Sequence, residues 1–223
     1  EPYRRQRQMC IRDSTPPVLG SRATDVKCGI GGLKGRKLAK GDTLPTGVCD
    51  TAALWRIITA KHLDRPLRDK AVCRGTHSVR VQGAQTLPLL RTVPGPQDAA
   101  FTAQGLHDFT HGIYALTADC DRMACKLQGP QIETVDGSDI VSDGIVAGSV
   151  QVSANGQPIV MLADHQTTGG YAKIATVISA DLSAMAQLRP GEKLAFQYVT
   201  AAQAVAGARA QAAVLDKIRE RMK

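Results

Sequence analysis

The dipeptide Asn155-Gly156, which lies between two apolar runs, constrains the fold more than any other feature of the chain. The surrounding segment reads GIVAGSVQVSANGQPIVMLA, and Asn-Gly in such a setting is the strongest short-range signal for a β-hairpin. A two-residue type I′ loop would pair Ala154 with Gln157, and hence Gln151 with Val160. The segment therefore predicts an antiparallel hairpin of fixed register.

This register also predicts which polar side chains lie together. Side chains alternate between the two faces of a strand, and paired residues share a face. The hairpin therefore places Ser149, Gln151, Asp164 and Gln166 on one face and His165 on the other. Because neighbouring strand residues point apart, we do not expect Asp164 to orient His165 as the acid of a catalytic dyad does. We interpret His165 as a surface or packing histidine rather than a general base.

Short β-strands and turns dominate the chain from Ala71 onward. Strand patterns occur in SVRVQ, PLLRTV, KIATV and KLAFQYV, and two more lie within IYALTADCDRMACKLQGP. Helical spacing of Phe101, Leu106 and Phe109 predicts a short amphipathic helix, and a short helix or turn is expected from Asp181 to Gln187. The Ala-rich tail from Ala201 predicts a terminal helix, with Leu215, Ile218 and Met222 on one face. These patterns predict a mainly β fold.

Charge and composition disfavour nucleic-acid and membrane partners. The formal charge is +8, but four Arg lie in residues 1–14 and five Lys or Arg in residues 201–223, and aromatic residues make up only 4%. Such termini are typical of solvated basic ends rather than of a stacking, basic nucleic-acid surface. No run of 18 apolar residues occurs, which predicts a soluble, cytoplasmic chain.

Glycine and cysteine motifs give no convincing cofactor or metal site. In GIGGLKG, Lys34 stands where the last glycine of a dinucleotide-binding motif should be, so we expect a loop with tight turns. Of the six cysteines, only those in CDRMAC are close, and no second Cys/His pair follows at finger-like spacing. We expect reduced thiols and no metal.

Several longer segments resemble one protein family. They are GIGGLKGRKLAKGDTLP, VPGPQDAAF, DRMACKLQG and SDGIVAGSVQVSANGQPIVMLADHQTTGGYAKIATVISADLSAMAQLRPGEKLAF. Together they resemble the allophanate hydrolase subunit 2 family, which includes the C subunit of 5-oxoprolinase (KipA-like) and the carboxyltransferase part of urea carboxylase. The resemblance runs from about Pro17 to Phe196.

The resemblance implies a cyclophilin-like β-barrel with short helices and a C-terminal helix. It implies a chain truncated at its N-terminus, in which residues 1–14 are a leader outside the family. Residues 15–70 would be the remnant of an N-terminal barrel half with its connection. Residues 71–200 would form the carboxyltransferase-type domain, and residues 201–223 the terminal helix.

The resemblance also implies a function in a complex. The first expectation is a subunit of an ATP-dependent 5-oxoprolinase, which hydrolyses the cyclic amide of 5-oxoproline to glutamate together with A-type and B-type subunits. The alternative is a biotin-dependent carboxyltransferase domain acting on urea or a similar small amide, or a regulatory subunit that binds a B-type partner. The expectation of ATP rests on the resemblance alone, because the sequence contains no phosphate-binding motif. Biotin would arrive on another chain or domain, because no biotinyl-lysine motif is present.

Both chemistries need donors that stabilise an oxyanion or carboxyl group. In this chain the resemblance points to a catalytic set for polarising the amide or moving a proton: Asp121, Arg122, Asp164 and Gln166. It points to a second set for binding the substrate: Gln151, Thr167, Thr168, Gly169, Gly170, Tyr171 and Lys173. A structural alternative stays open, in which Gly169-Gly170 permits a tight turn and the threonines cap it.

The chain departs from the family pattern at several positions. Members usually carry Arg at the position of His165, Pro at those of Ser153 and Ala172, Ser at that of Cys120 and Gly at that of Ala124. The missing Arg removes a permanent charge and a bidentate donor, which weakens any activity that depends on it.

Overall fold

The computed structural model describes residues 15–26, 28–43, 78–80 and 86–221. The chain divides into two compact units, Glu1–Lys61 and His62–Lys223. Three predicted features lie outside the described residues. They are the leader expected at residues 1–14, residues 44–70 of the expected remnant and connection, and Met222 of the terminal helix.

The described part of the first unit consists of turns. Isolated antiparallel bridges join Val18 to Ser21 and Asp25 to Ile30. The Gly35 N–H donates to the Gly31 carbonyl at 2.8 Å, and both glycines have positive φ, a region that glycine occupies without steric penalty. The prediction of a loop with tight turns at GIGGLKG is confirmed.

The second unit is mainly β, as predicted. Its described strands are β1 (Ser78–Arg80), β2 (Thr86–Pro94), β3 (Tyr114–Cys120), β4 (Ala124–Gln128), β5 (Asp139–Gly144), β6 (Ser149–Val152), β7 (Pro158–Met161), β8 (Thr168–Tyr171), β9 (Lys173–Val177) and β10 (Lys193–Tyr198). Its described helices are α1 (Ala103–His111), α2 (Ser179–Met185) and α3 (Ala201–Arg221), and one turn of 3-10 helix covers Asp98–Ala100.

Seven of the described strands close into a barrel. They follow the order β2-β10-β3-β4-β7-β6-β9, and β9 pairs back with β2. Strand β10 is parallel to β2, and β1 adds to β2 outside the closed ring. Closure leaves no unpaired edge within the ring. The predicted β-barrel with short helices and a C-terminal helix is confirmed.

The barrel core is formed by alternating apolar residues. Val150 and Val152 of β6, Ile174 of β9 and Phe196 of β10 are fully or almost fully buried. Phe109 of α1 stacks on Phe196 with ring centroids 4.5 Å apart. Burying side chains of this size contributes roughly 1.5–3 kcal/mol each, so the core fixes β6, β9 and β10 as rigid supports.

The hairpin at Asn155-Gly156 exists, but its predicted register is wrong by one residue. Gln151 pairs with Ile159 rather than Val160. The Gly156 N–H donates to the Ser153 carbonyl at 2.8 Å, and Gly156 has positive φ while Asn155 does not. Ala154, Asn155 and Gly156 thus form a three-residue loop with one left-handed residue. The Asn155 carboxamide accepts hydrogen bonds from Ser153 Oγ and the Gln157 N–H, which stabilise this loop.

The pair of strands β5 and β8 forms a separate two-stranded sheet, which we call the flap. Its β8 strand contains Gly169 and Gly170, neither of which has positive φ. The alternative of a tight turn at these glycines is therefore wrong, because they lie in extended backbone.

A disulfide joins Cys120 and Cys125, which face each other in the β3–β4 pairing. The prediction of reduced thiols is wrong for this pair.

Candidate functional site

The candidate site is built around a buried lysine on the barrel wall. Lys173 begins β9, and its side chain is only 3% exposed. Its Nζ lies 2.8 Å from Asp143 Oδ2, and Asp143 belongs to β5 of the flap. A buried ammonium is unfavourable unless a charge and hydrogen bonds compensate it. The contact between barrel and flap therefore centres on one ion pair.

Gln97 binds the same carboxylate oxygen as Lys173. Its Oε1 accepts the Lys173 backbone N–H at 3.2 Å, and its Nε2 donates to Asp143 Oδ2 at 3.0 Å. Because a backbone N–H can only donate, Oε1 must face Lys173 and the amide NH₂ must face Asp143. Gln97 is thus fixed as a donor toward the carboxylate.

The Asp143 carboxylate receives three donors. Lys173 Nζ and Gln97 Nε2 bind Oδ2, and the Gly144 N–H donates to Oδ1 at 2.7 Å. The hydrogen bond from Lys173, followed by those from Gln97 and Gly144, lowers the pKa of Asp143 from 3.8 to about 2. The carboxylate is therefore ionised at neutral pH.

Gln151 joins the site from the neighbouring strand. It is the register partner of Lys173 across β6 and β9 and is buried on the face opposite Val150 and Val152. Its Nε2 donates to the Tyr171 carbonyl at 3.2 Å, which fastens the flap to the barrel. A polar cluster thus lies between the outer barrel wall and the flap.

Gly169 permits this close approach. A Cβ atom at this position would lie 2.5 Å from Ile145 Cδ1 and 2.7 Å from Gln151 Nε2, whereas the nearest atom at Gly170 would be 3.6 Å away. An alanine at position 169 would therefore force the ends of the Ile145 and Gln151 side chains to move, whereas an alanine at position 170 would not.

The substrate-binding residues predicted from the sequence all lie on the flap, beside it, or on the wall beneath it. Thr168 pairs with Gly144, and Tyr171 pairs with Asp139. The Thr167 carbonyl accepts the Ile145 N–H at 2.9 Å. The structure brings the following predicted residues to this contact: Gln151, Thr167, Thr168, Gly169, Gly170, Tyr171 and Lys173.

The predicted catalytic residues lie in two connections, β3–β4 and β7–β8. Asp121 Oδ1 accepts the N–H groups of Met123 and Ala124 and so shapes the β3–β4 turn. Arg122 Nε and Nη2 bind the two carboxylate oxygens of Asp164 at 2.6 and 3.0 Å. Both side chains are well exposed, at 76% and 50%.

The shared strand face predicted for Gln151, Asp164 and Gln166 is wrong. Strand β7 ends at Met161, so Asp164, His165 and Gln166 lie in a connection where strand alternation does not apply. His165 Nδ1 lies 2.7 Å from the Gln166 carbonyl oxygen, and Gln166 is exposed. The catalytic role of Asp121, Arg122, Asp164 and Gln166 stays a prediction.

Gln97 and Asp143 were not among the residues predicted from the sequence. Both lie in segments that carry the family resemblance, VPGPQDAAF and SDGIVAGSV, and this was the available signal. Their contact joins residues 46 apart in sequence. Strand or helix periodicity relates only residues a few positions apart, so it could not predict this contact.

The chemistry of the donor set limits which groups it fits. One ammonium and one side-chain amide match a single carboxylate. They supply too little positive charge for a triphosphate, so ATP does not fit this site. Within the described residues no cluster of three His, Cys, Asp or Glu side chains is arranged to hold a metal ion. The helices described in the structure include none that is both long and apolar enough to span a bilayer.

A family profile and two curated proteins match most of this chain in sequence. A profile of the family described as "Carboxyltransferase domain, subdomain A and B" matches residues 10–198. The chain is 36% identical over 184 residues to the C subunit of 5-oxoprolinase from Escherichia coli (strain K12), covering 81% of this chain and 51% of that protein. It is 35% identical over 216 residues to the C subunit of 5-oxoprolinase from Haemophilus influenzae, covering 95% of this chain and 62% of that protein. The chain thus spans about half to three fifths of these curated relatives.

Solved structures share the fold. The K. lactis urea amidolyase aligns with a TM-score of 0.66 at 19% identity, covering 93% of this chain and 13% of that chain. The Kluyveromyces lactis urea carboxylase aligns with a TM-score of 0.64 at 18% identity, covering 93% and 19%. At these identities the likeness establishes a common barrel architecture.

Proposed function

The chain belongs to the family of carboxyltransferase domains with subdomains A and B, and from this membership we propose that it acts in an ATP-dependent 5-oxoprolinase. The reaction would be hydrolysis of the cyclic amide of 5-oxoproline to glutamate. The support is the similarity to two proteins named as the C subunit of 5-oxoprolinase.

The observation that carries the proposal at the atomic level is the buried Lys173 held between Gln97 and Asp143. Hydrolysis requires that the small amide be held in one orientation, and preorganised donors supply this. Lys173 and Gln97 are such donors, and they match the carboxylate of 5-oxoproline. Their proposed task is to bind and orient the small amide.

Partners complete the proposed activity. The relatives are named as subunits, so we expect A-type and B-type subunits to associate with this chain in the cytoplasm. Because the donor set at Lys173 does not fit a triphosphate, we assign ATP binding to another part of the assembled complex.

Carboxyl transfer is the second candidate, since the matching family profile is named for it. Biotin would carry the carboxyl group when bound. Lys173 and Gln97 are the residues that would hold this carboxyl group. The acceptor would be urea or a similar small amide. A regulatory subunit that binds a B-type partner is the third candidate.

The test is glutamate release from 5-oxoproline and ATP by the full-length protein combined with its A-type and B-type partners. We expect Lys173→Gln to lose roughly 10- to 100-fold in kcat/KM, the effect of removing a hydrogen bond from a charged donor. Lys126→Gln is the matched control, because the Lys126 side chain forms an exposed pair with Asp119.

Each outcome separates the candidates. Wild-type turnover that survives Lys173→Gln would disprove the assignment of the site. A stable complex without turnover would favour carboxyl transfer if urea is carboxylated from carboxybiotin. A stable complex with neither glutamate release nor carboxylation of urea would favour a regulatory subunit.

A further inference from the structure

We propose that Lys173 and Gln97 form a receptor for the carboxylate of a small ligand, and that Asp143 occupies this receptor when the ligand is absent. The ligand carboxylate would replace that of Asp143 at Lys173 Nζ and Gln97 Nε2. The inference rests on the proposed function only for the choice of 5-oxoproline as the ligand.

The donors and the acceptor belong to different parts of the molecule. Lys173 lies on β9, and Gln97 lies in the connection after β2, where its Oε1 accepts the Lys173 backbone N–H and so ties Gln97 to the barrel. Asp143 lies on the flap. The barrel therefore keeps two oriented donors if the Asp143 side chain moves away.

Differences in exposure give the ligand a route. The Lys173 side chain is almost completely buried, whereas that of Asp143 is 49% exposed. The receptor thus faces solvent through the Asp143 carboxylate. In this proposal the Asp143 side chain changes rotamer to present Lys173 Nζ to an incoming anion, while the main-chain contacts of the flap stay in place.

Charge balance sets the chemical class of the ligand. Removing Asp143 from the contact leaves a buried ammonium without its counter-charge, which is unfavourable. A ligand carboxylate restores the ion pair with the same hydrogen-bond geometry, and a neutral amide does not. The receptor therefore selects a carboxylate over an uncharged molecule of the same shape.

The test ligand follows from this selectivity. 5-Oxoproline, the substrate in the proposed function, carries a carboxylate, and urea does not.

Calorimetric titration of the full-length chain with 5-oxoproline and with its neutral analogue 2-pyrrolidinone tests the proposal. The variants are Asp143→Asn, which removes the internal competitor, and Asp119→Asn, which removes an exposed carboxylate elsewhere on the barrel. If Asp143 occupies the receptor about nine tenths of the time, Asp143→Asn should bind 5-oxoproline about tenfold more tightly than wild type. Asp119→Asn should match wild type, and 2-pyrrolidinone should not gain affinity.

Thermal unfolding keeps the test valid if Asp143→Asn is destabilised. We expect 5-oxoproline to raise the Tm of Asp143→Asn more than that of wild type. Adding Lys173→Gln to Asp143→Asn should abolish that gain. Equal or weaker binding of 5-oxoproline by Asp143→Asn, or an equal gain for 2-pyrrolidinone, would overturn the proposal.

The receptor and the proposed function can fail separately. Binding as expected, without glutamate release by the complex, would support the receptor and reject the oxoprolinase activity. Glutamate release by the complex, with no tighter binding of 5-oxoproline by Asp143→Asn than by wild type, would support the oxoprolinase activity and reject the receptor.

Discussion

Lys173 Nζ and Asp143 Oδ2 lie 2.8 Å apart although the residues are 30 positions apart in sequence and belong to different sheets. The lysine is part of the closed barrel, and the aspartate is part of the flap. This ion pair, together with the hydrogen bond from Gln151 to Tyr171, links the two sheets at the place where the predicted substrate-binding residues gather.

Gly169→Ala should impair the site more than Gly170→Ala. The new Cβ would lie within 2.7 Å of Gln151 Nε2 and 2.5 Å of Ile145 Cδ1, so the Gln151 hydrogen bond to Tyr171 must shift. We expect kcat/KM for glutamate release to fall by about tenfold or more, because one neutral hydrogen bond and the packing around it are lost. Gly170→Ala meets only ordinary contacts, and equal losses in both variants would contradict the packing argument.

The ion pair should make stability depend on acid pH. Donors to Asp143, Lys173 first, lower its pKa from 3.8 to about 2. A lowered pKa in the folded state means that the stabilisation is complete above the unfolded value of 3.8 and is lost as the pH falls toward 2. The free energy of unfolding, measured from pH 6 to 2, should therefore decrease more steeply for wild type than for Asp143→Asn. In a Lys173→Gln background, most of this difference should vanish.

Asp181→Ala should destabilise the fold strongly. Asp181 is almost fully buried and accepts three hydrogen bonds from Arg91, whose Nη2 lies 2.6 Å from Oδ1. Removing one partner of such a pair typically costs about 3–5 kcal/mol, which denaturant unfolding measures. Asp216→Ala is the control, because its pair with Arg219 is exposed and should contribute less than about 1 kcal/mol. A similar small loss for both would show that burial does not strengthen the Arg91 pair.

Gln166→Ala should lower turnover while His165→Ala has a mild effect. The Gln166 side chain is exposed in the β7–β8 connection, and surface substitutions usually change stability by less than about 0.5 kcal/mol. A large loss of glutamate release at unchanged Tm would then report a role in the reaction. Equal loss in both variants would reject the distinction between them.

Local patterns in the sequence were sufficient for most elements of the barrel. The strand pattern in KLAFQYV predicted β10, in which Leu194 and Phe196 are both buried. Asn155-Gly156 predicted the hairpin. The loop length was not predicted, because the Asn155 side chain stabilises a three-residue turn that the dipeptide alone does not specify. A change of one residue in the loop shifts every pair along the strands.

The sequence by itself determined most strands of the barrel, the family and the polar composition of ADHQTTGGYAK, but not the flap strands β5 and β8. It did not determine that Lys173 would be buried against Asp143, that Gln97 would orient toward the same carboxylate, or that Asp164 would instead bind Arg122. Those contacts join segments that are distant along the chain, and only closure of the barrel and docking of the flap bring them together. The physical reason is that periodicity acts over a few neighbouring residues, whereas compensation of a buried charge depends on whatever the tertiary fold places beside it.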